Sequence, residues 1–285
     1  MNYNVFLVNA FCNNESGGNG AGVVLTSEVL DRDSKLQIAA EIGYSETVFV
    51  RKENDGTFHL EYFTPVDEVE LCGHATIAAF SLLHEQGLPQ GRYAIQTRAG
   101  RLYVDVANNG KVFMQQCCPV FHEQYHVETF ASCLPVDYYN ASLPIQAVST
   151  GLKDILFPID SVEHLRSITP DFEAMAKLNK QQGVVGIHAF ALTKDGDAVA
   201  ECRNFAPLYG INEESATGTS NCALACYLHR YEKPQTHYRF LQGVTMQQTS
   251  AIEVILQFQQ ETIQEVKVGG YGLTTGMRTV TIESL

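Results

Sequence analysis

The stretch T-V-F-V-R-K-E-N-D-G-T-F-H-L-E-Y-F-T-P, residues 47–65, reads as a strand, a turn at Asn54-Asp55-Gly56, a second strand and a closing Phe63-Thr64-Pro65. Residues 188–207, H-A-F-A-L-T-K-D-G-D-A-V-A-E-C-R-N-F-A-P, read the same way, with the turn at Asp195-Gly196 and the closing triplet Phe205-Ala206-Pro207. A short irregular loop follows each triplet, then a glycine that leads a run of small residues: Gly73-His-Ala-Thr-Ile-Ala-Ala in one half and Gly218-Thr-Ser-Asn-Cys-Ala-Leu-Ala in the other. The two loops differ by three residues. Two unrelated hairpins could share this turn chemistry, but the common order of the anchors favours one structural unit built twice.

Working outward, the chain divides into two α+β halves. Residues 4–11 and 22–25 have strand character. Ser34 is placed to cap a helix over 35–42, which Gly43 terminates in the left-handed conformation. Strands are expected near 93–97, 101–106 and 111–116. Pro119 and the polar segment behind it mark a boundary between domains 1–119 and 120–274, with the final strand of about 275–285 joining the first domain. The second half carries strands near 145–149 and 154–158, a helix near 170–179, the repeated hairpin, a helix over 220–231, and strands near 238–242, 251–258, 262–268 and 277–282.

Composition narrows the functional classes. With 45% hydrophobic and 18% charged residues in 285, the chain can bury a substantial core. Its formal net charge of −13 argues against nucleic acid or an anionic membrane as partner. An anionic substrate would therefore need local attraction. The first residues lack the basic region of a signal peptide, and no apolar run is long enough to cross a bilayer. None of the eight cysteines forms a C-x-x-C pair, so zinc ribbons and thioredoxin-type motifs are excluded and a reduced cytoplasmic protein is expected.

The glycine-led runs are where chemistry is expected. A helix N-terminus exposes backbone N–H groups and the positive end of a dipole, and a glycine there admits a ligand close to the backbone. Such a start in each half suggests a carboxylate held between two facing helix N-termini. Ordinary capping by Thr217 and Ser220 is the alternative. If the strand after Gly43 begins at Glu46, that carboxylate shares a face with Val48 and Val50. If it lies among apolar neighbours its pKa should rise toward values useful for proton transfer; if it sits at the strand edge it faces water. His74, at the first helix start, should be held neutral by the dipole, and Glu213-Glu214 read as complements to the second dipole. Cys72 could be a base, a nucleophile, a ligand or a bystander.

Three patterns are decoys. His122-Glu123-Gln124-Tyr125-His126 spells the zincin H-E-x-x-H, which requires both imidazoles on one helix face and a third ligand; none stands out, and no metal site is expected. Gly17-Gly18-Asn19-Gly20-Ala21-Gly22 lacks dinucleotide or P-loop spacing and reads as a turn between strands. Cys222 and Cys226 read as core thiols.

The segments Gly43-Tyr-Ser-Glu46-Thr-Val-Phe-Val, Phe63-Thr-Pro-x6-Cys-Gly-His74 and Glu213-Glu-Ser-Ala-Thr-Gly218-Thr together resemble the phenazine-biosynthesis PhzF-like family of isomerases, which shares its fold with diaminopimelate epimerase and proline racemase. The resemblance runs from residue 4 to about 282. It implies an α+β, diaminopimelate epimerase-like fold: two pseudo-twofold-related domains, each a curled mixed sheet or barrel around a central helix. It also implies a homodimer, no metal or organic cofactor, and a small-molecule carboxylate substrate. The glutamate matching Glu46 is then the general acid/base of a cofactor-independent isomerase that moves a proton between carbons. Residues matching His74 and Glu214 hold the polar groups of the substrate. Gly73, Gly218 and Thr219 surround its carboxylate, with Cys72 and Thr217 beside them.

The epimerase cousins use two cysteines, one at each helix start; here the positions are Cys72 and Thr217, and threonine cannot serve as a thiolate base. Cys72 is therefore expected to be a bystander, though an epimerase using Cys72 with Glu46, or a non-catalytic carboxylate-binding protein, remains an alternative. The phenazine enzymes carry Asp-Pro at Glu214-Ser215, a serine at Thr219 and a small non-thiol residue at Cys72, so the phenazine substrate itself is not carried across.

Overall fold

The computed structural model describes residues 1–282, so the last three residues of the strand expected over 275–285 lie outside the described residues. The chain forms two compact units, Met1–Gln115 together with Gly269–Leu285, and Gln116–Val268.

The first unit contains β1 (Asn2–Cys12), β2 (Asn19–Leu25), α1 (Arg32–Ile42), β3 (Thr47–Lys52), β4 (Phe58–Phe63), β5 (Glu68–Val69), α2 (Gly73–Glu85), β6 (Gly91–Thr97), β7 (Gly100–Val106) and β8 (Val112–Gln116). β1 runs antiparallel to β2, and β2 parallel to β3. The hairpin β3–β4 follows in the register Thr47↔Phe63 to Lys52↔Phe58, around the turn whose Gly56 has a φ of 86°. β4 then lies parallel to β6, which continues antiparallel through β7 to β8. The last strand of the chain, Thr262–Thr281, pairs with both β8 and β1 and closes the ring.

α2 is enclosed by this ring. Every residue from His74 to Leu82 is buried, and the helix packs against β1, β2, β3 and β7. A helix that is buried on all sides has no polar face to offer. That accounts for the run of Ala75, Thr76, Ala78, Ala79 and Ser81, whose small side chains let the strands close in.

The second unit repeats the succession. It contains β9 (Val120–Tyr125), β10 (Ile145–Ser149), β11 (Lys153–Ile159), α3 (Val162–Ser167), α4 (Phe172–Gln182), β12 (Gly186–Leu192), β13 (Ala200–Ala206), β14 (Ile211–Glu214), α5 (Gly218–Tyr231), β15 (His237–Gln242), β16 (Ser250–Gln259) and the start of β17 (Thr262–Thr281), whose residues from Gly269 onward belong to the first unit. β9, β10 and β11 are antiparallel neighbours; β11 is parallel to β12; the hairpin β12–β13 follows, and β13 is parallel to β15, which pairs with β16. α5 occupies the place of α2: residues Ser220 to Leu228 are buried, and it packs against β10, β11 and β16. A second core formed by Phe130, Phe157, Met175, Ile187 and Phe205 seats α3 and α4 on the other face. Among the described residues no helix is long and apolar enough to cross a membrane.

Local details differ from the sequence expectations. The cap of α1 is Asp31, whose carboxylate accepts from the Ser34 amide at 2.9 Å, so Ser34 lies inside the first turn rather than at the cap. Gly43 does end that helix with a φ of 74°. The H-E-x-x-H segment lies on β9 and the residue after it, so its histidines do not share a helix face. The strands expected at 262–268 and 277–282 are one continuous β17.

Close packing against α2 makes one glycine of β17 indispensable. A Cβ at Gly272 would lie 2.5 Å from the Cβ of Ser81 and collide with its hydroxyl, whereas a Cβ at Gly276 would meet nothing within 4 Å. Gly272→Ala should lower unfolding stability in urea by about 1–3 kcal/mol, the usual cost of overpacking. Gly276→Ala should change it by less than about 0.5 kcal/mol. Equal effects would show that β17 does not press on α2.

Candidate active site

Glu46 is positioned by backbone before its side chain matters. Gly43 turns the chain out of α1, and the Glu46 carbonyl accepts from the Gly22 amide at 3.1 Å, one residue ahead of the parallel pairing Gly22↔Thr47. Its strand begins one residue later than expected, at Thr47.

Cys72 is the N-cap residue of α2, and no side chain caps the helix. The turn is held from beneath instead. Thr76 Oγ1 donates to the Cys72 carbonyl at 2.7 Å, which makes the wholly buried Tyr62 hydroxyl, 2.6 Å away, the donor to Thr76. A Cβ at Gly73 would meet no atom within 4 Å. Packing therefore does not require glycine there, and its effect is to leave the first turn open.

Three of the expected residues meet at this point. His74 Nε2 lies 3.2 Å from Glu46 Oε2, and the Cys72 sulfur lies 3.4 Å from His74 Nδ1. His74 and Cys72 are each 8% exposed and the Glu46 side chain 20%. The Nε2–Oε2 contact is an ion-pair distance without hydrogen-bond alignment, so Oε2 is buried with no hydrogen-bond donor.

The electrostatics reverse two sequence expectations. Burial pushes the Glu46 carboxyl up, but His74 3.2 Å away, with further help from Ser45 and Cys72, holds it below its ordinary value rather than above. For His74, burial opposes the imidazolium, yet the Cys72 sulfur and the Glu46 carboxylate outweigh it and raise the pKa well above 6.5. The helix dipole does not keep this ring neutral. Burial also raises the Cys72 thiol, and the Glu46 carboxylate adds to that rise. The resting site is an imidazolium beside a carboxylate.

The start of α5 in the second unit is built differently. Thr217 is the N-cap residue but does not cap, and Ser220 donates to Asp154 Oδ2 at 2.7 Å, so neither hydroxyl plays the capping role considered for it. Thr217 Oγ1 instead donates to Glu214 Oε2 at 2.6 Å. Gln242, fully buried on β15, donates from Nε2 to the Glu214 carbonyl and to Thr217 Oγ1, and accepts at Oε1 from the Thr217 amide and from Asn221. These contacts gather Glu214, Thr217, Gly218 and Thr219 at one helix start. Glu213 belongs to a different pair, bonded through both oxygens to buried Arg203. Sequence reasoning missed Gln242, Tyr62 and Thr76. Only the i,i+4 spacing of Cys72 and Thr76 could have pointed to one of them.

A closed mixed sheet around a helix, with Glu and His at the helix start, defines an α+β epimerase-like fold. The sequence profile of the family described as phenazine biosynthesis-like protein, PhzC-PhzF, matches residues 8–277, and the chain belongs to this family. It is 32% identical over 285 residues to an uncharacterized isomerase of Clostridium acetobutylicum, with 94% of each chain covered. It also superposes on the crystal structure of a Bacillus anthracis PhzF-family protein with a TM-score of 0.90 at 27% identity, covering 99% of this chain and 100% of that one. A probable proline racemase of Agrobacterium radiobacter, with a TM-score of 0.67 at 14% identity over 99% of this chain and 93% of that one, shares the fold. The enzyme class is isomerase of the PhzF type.

The Glu46–His74 pair sets a pH window. A depressed Glu46 contributes stability above its ordinary 4.5 that is lost as pH falls through its folded value. A raised His74 contributes stability below 6.5 that is lost as pH rises through its folded value. The stability deficit of Glu46→Gln relative to wild type should therefore be largest between pH 4.5 and 6.5, and NMR should show His74 still protonated in wild type above pH 6.5. A His74 titration at or below 6.5 would contradict the ion pair.

Proposed function

We propose that the protein is a cofactor-independent isomerase in which Glu46 moves a proton between two carbons of a small amino-acid-like or cyclic carboxylate. The observation that carries this reading is the half-buried Glu46 carboxylate held against His74 at the uncapped start of α2. The net charge of −13 repels an anion at long range, so recognition has to be local. The open N–H groups after Gly73 offer that attraction to a substrate carboxylate.

The same pair suggests how a resting carboxylate becomes a base. Burial is the strongest influence on Glu46, and His74 is what offsets it. A substrate group that takes the His74 proton in a hydrogen bond removes much of the offset, and Glu46 is left as a desolvated, stronger base. Glu46 then takes a proton from carbon and, as the acid so formed, returns it to another carbon. His74 holds the polar group on which charge develops. At the start of α5, Gln242 fixes Thr217 and the Glu214 backbone.

The burial-raised Cys72 thiol argues against an epimerase that uses Cys72 as its second base. The test is proton exchange in D₂O, followed by NMR, with a panel of proline-like and cyclic carboxylates that includes a dihydro-hydroxyanthranilate. Deuterium should enter at carbon with wild type and still enter with Cys72→Ala. Glu46→Gln should slow entry by at least about 100-fold, the lower range of general acid–base contributions. Loss with Cys72→Ala would favour the epimerase, and binding without any exchange would favour a carboxylate-binding protein.

A further inference from the structure

Resting on the roles proposed for Glu46 and His74, we infer that Cys72 is a positioning residue: its sulfur takes the Nδ1 side of the His74 ring and so reserves the Nε2 side for Glu46 and the substrate. The thiol then has a function that is neither base nor nucleophile.

The two ring nitrogens of His74 face different partners. Nε2 lies 3.2 Å from Glu46 Oε2, and Nδ1 lies 3.4 Å from the Cys72 sulfur, which is 3.9 Å from Nε2. An imidazole held at one nitrogen can still turn about its side-chain bonds, and its terminal torsion is broad. Held at both, it keeps one orientation. The hydrogen bond made by one nitrogen also decides which nitrogen carries the proton when the ring is neutral.

The sulfur is itself fixed. Cys72 has extended backbone, with φ −138° and ψ 116°, and its side chain is not spent on capping α2. Its carbonyl accepts from Thr76 Oγ1, and Thr76 is bonded in turn to the Tyr62 hydroxyl. Tyr62 and Thr76 therefore hold the residue that holds the imidazole. The second unit gives a contrast. There the N-cap residue is Thr217 and the residue two positions on is Thr219, so no ring needs orienting, and the Thr217 hydroxyl turns to Glu214 instead.

This division of the ring matters to the reaction. Glu46 becomes a stronger base when the substrate engages the proton that faces Glu46, and that proton is on Nε2. While it is shared with the substrate, Nδ1–H stays against the sulfur, so the ring does not turn away or change tautomer. A thiol is a weak acceptor, able to orient an N–H without placing a second carboxylate beside the ring. Burial, which raises the Cys72 thiol, agrees with this role, since a thiolate would compete with Glu46 for the imidazolium.

The test compares wild type with Cys72→Ala and Cys72→Ser in the full chain, each checked for folding by circular dichroism. Proton–nitrogen NMR of histidine-labelled protein reads the ring, with the His74 signals assigned by their loss in His74→Gln. In wild type, Nδ1 should carry a proton on both sides of the His74 titration. In Cys72→Ala the titration should move down, because the sulfur favours the charged ring, and the neutral ring should shift toward the Nε2–H form. Cys72→Ser should restore the Nδ1–H form. In the deuterium-exchange assay Cys72→Ala should lower kcat about 3- to 10-fold, the effect of one modest hydrogen bond, with KM within about twofold, and Cys72→Ser should recover most of the loss. A wild-type neutral ring protonated on Nε2, or a His74 titration and tautomer unchanged in Cys72→Ala, would overturn the inference. So would a loss of about 100-fold or more in Cys72→Ala, which would make Cys72 a base. Failure of the isomerase reading is separate: it shows as no exchange in wild type, and the His74 tautomer still decides whether Cys72 positions the ring.

Discussion

The structure around the site depends on one constraint: a carboxylate is buried beside an imidazole at the mouth of a helix that a ring of strands encloses. Burying a charge costs free energy, and at the half-buried Glu46 carboxylate His74 offsets that cost from 3.2 Å away. The answer in turn depends on α2 starting where it does. Thr76 and Tyr62 hold the Cys72 carbonyl, and the strands pressing on Ala75, Ala78 and Ser81 leave the helix no room to shift. Backbone pairing to Gly22 fixes Glu46 from the other side. A rigid scaffold of this kind is what brings two side chains from different elements to within 3.2 Å without a flexible linker between them.

The pair also explains how one glutamate can be quiet at rest and basic at work. Its burial and its partner act in opposite directions, so the balance shifts when the partner is engaged elsewhere. A carboxylate exposed to water has no such reserve, because its pKa has little burial contribution to release. Cys72 sits within the same cluster with its thiol raised by burial, which sets it apart from the thiolate of an epimerase.

Much of this was legible in the sequence, and the parts that were not have physical causes. The repeated hairpins and the glycine-led helices follow from local patterns and from spacing, whereas only the family resemblance put Glu46 in one site with His74 and Cys72. The family was legible as well, because its motifs span the chain. The pKa directions of Glu46 and His74 were not legible. The pattern around each residue reports burial or a dipole, and the deciding partner sits on another element. For the same reason Gln242, on β15, could not be connected with the start of α5, and Asp31 outcompeted Ser34 as a cap although both carry suitable side chains. Residues 43–45 lead from helix to strand as read, and the strand starts at Thr47, with the Glu46 carbonyl accepting from Gly22 just before it.

The account stands on Glu46 and His74 being a single ionised unit. A double-mutant cycle of Glu46→Gln and His74→Asn, with unfolding in urea measured at about pH 5.5, between the ordinary pKa values of the two groups, tests this most directly. The account predicts a coupling energy of about 1–3 kcal/mol that shrinks as the pH is lowered through the Glu46 titration. Additive effects, within about 0.3 kcal/mol at every pH, would contradict it.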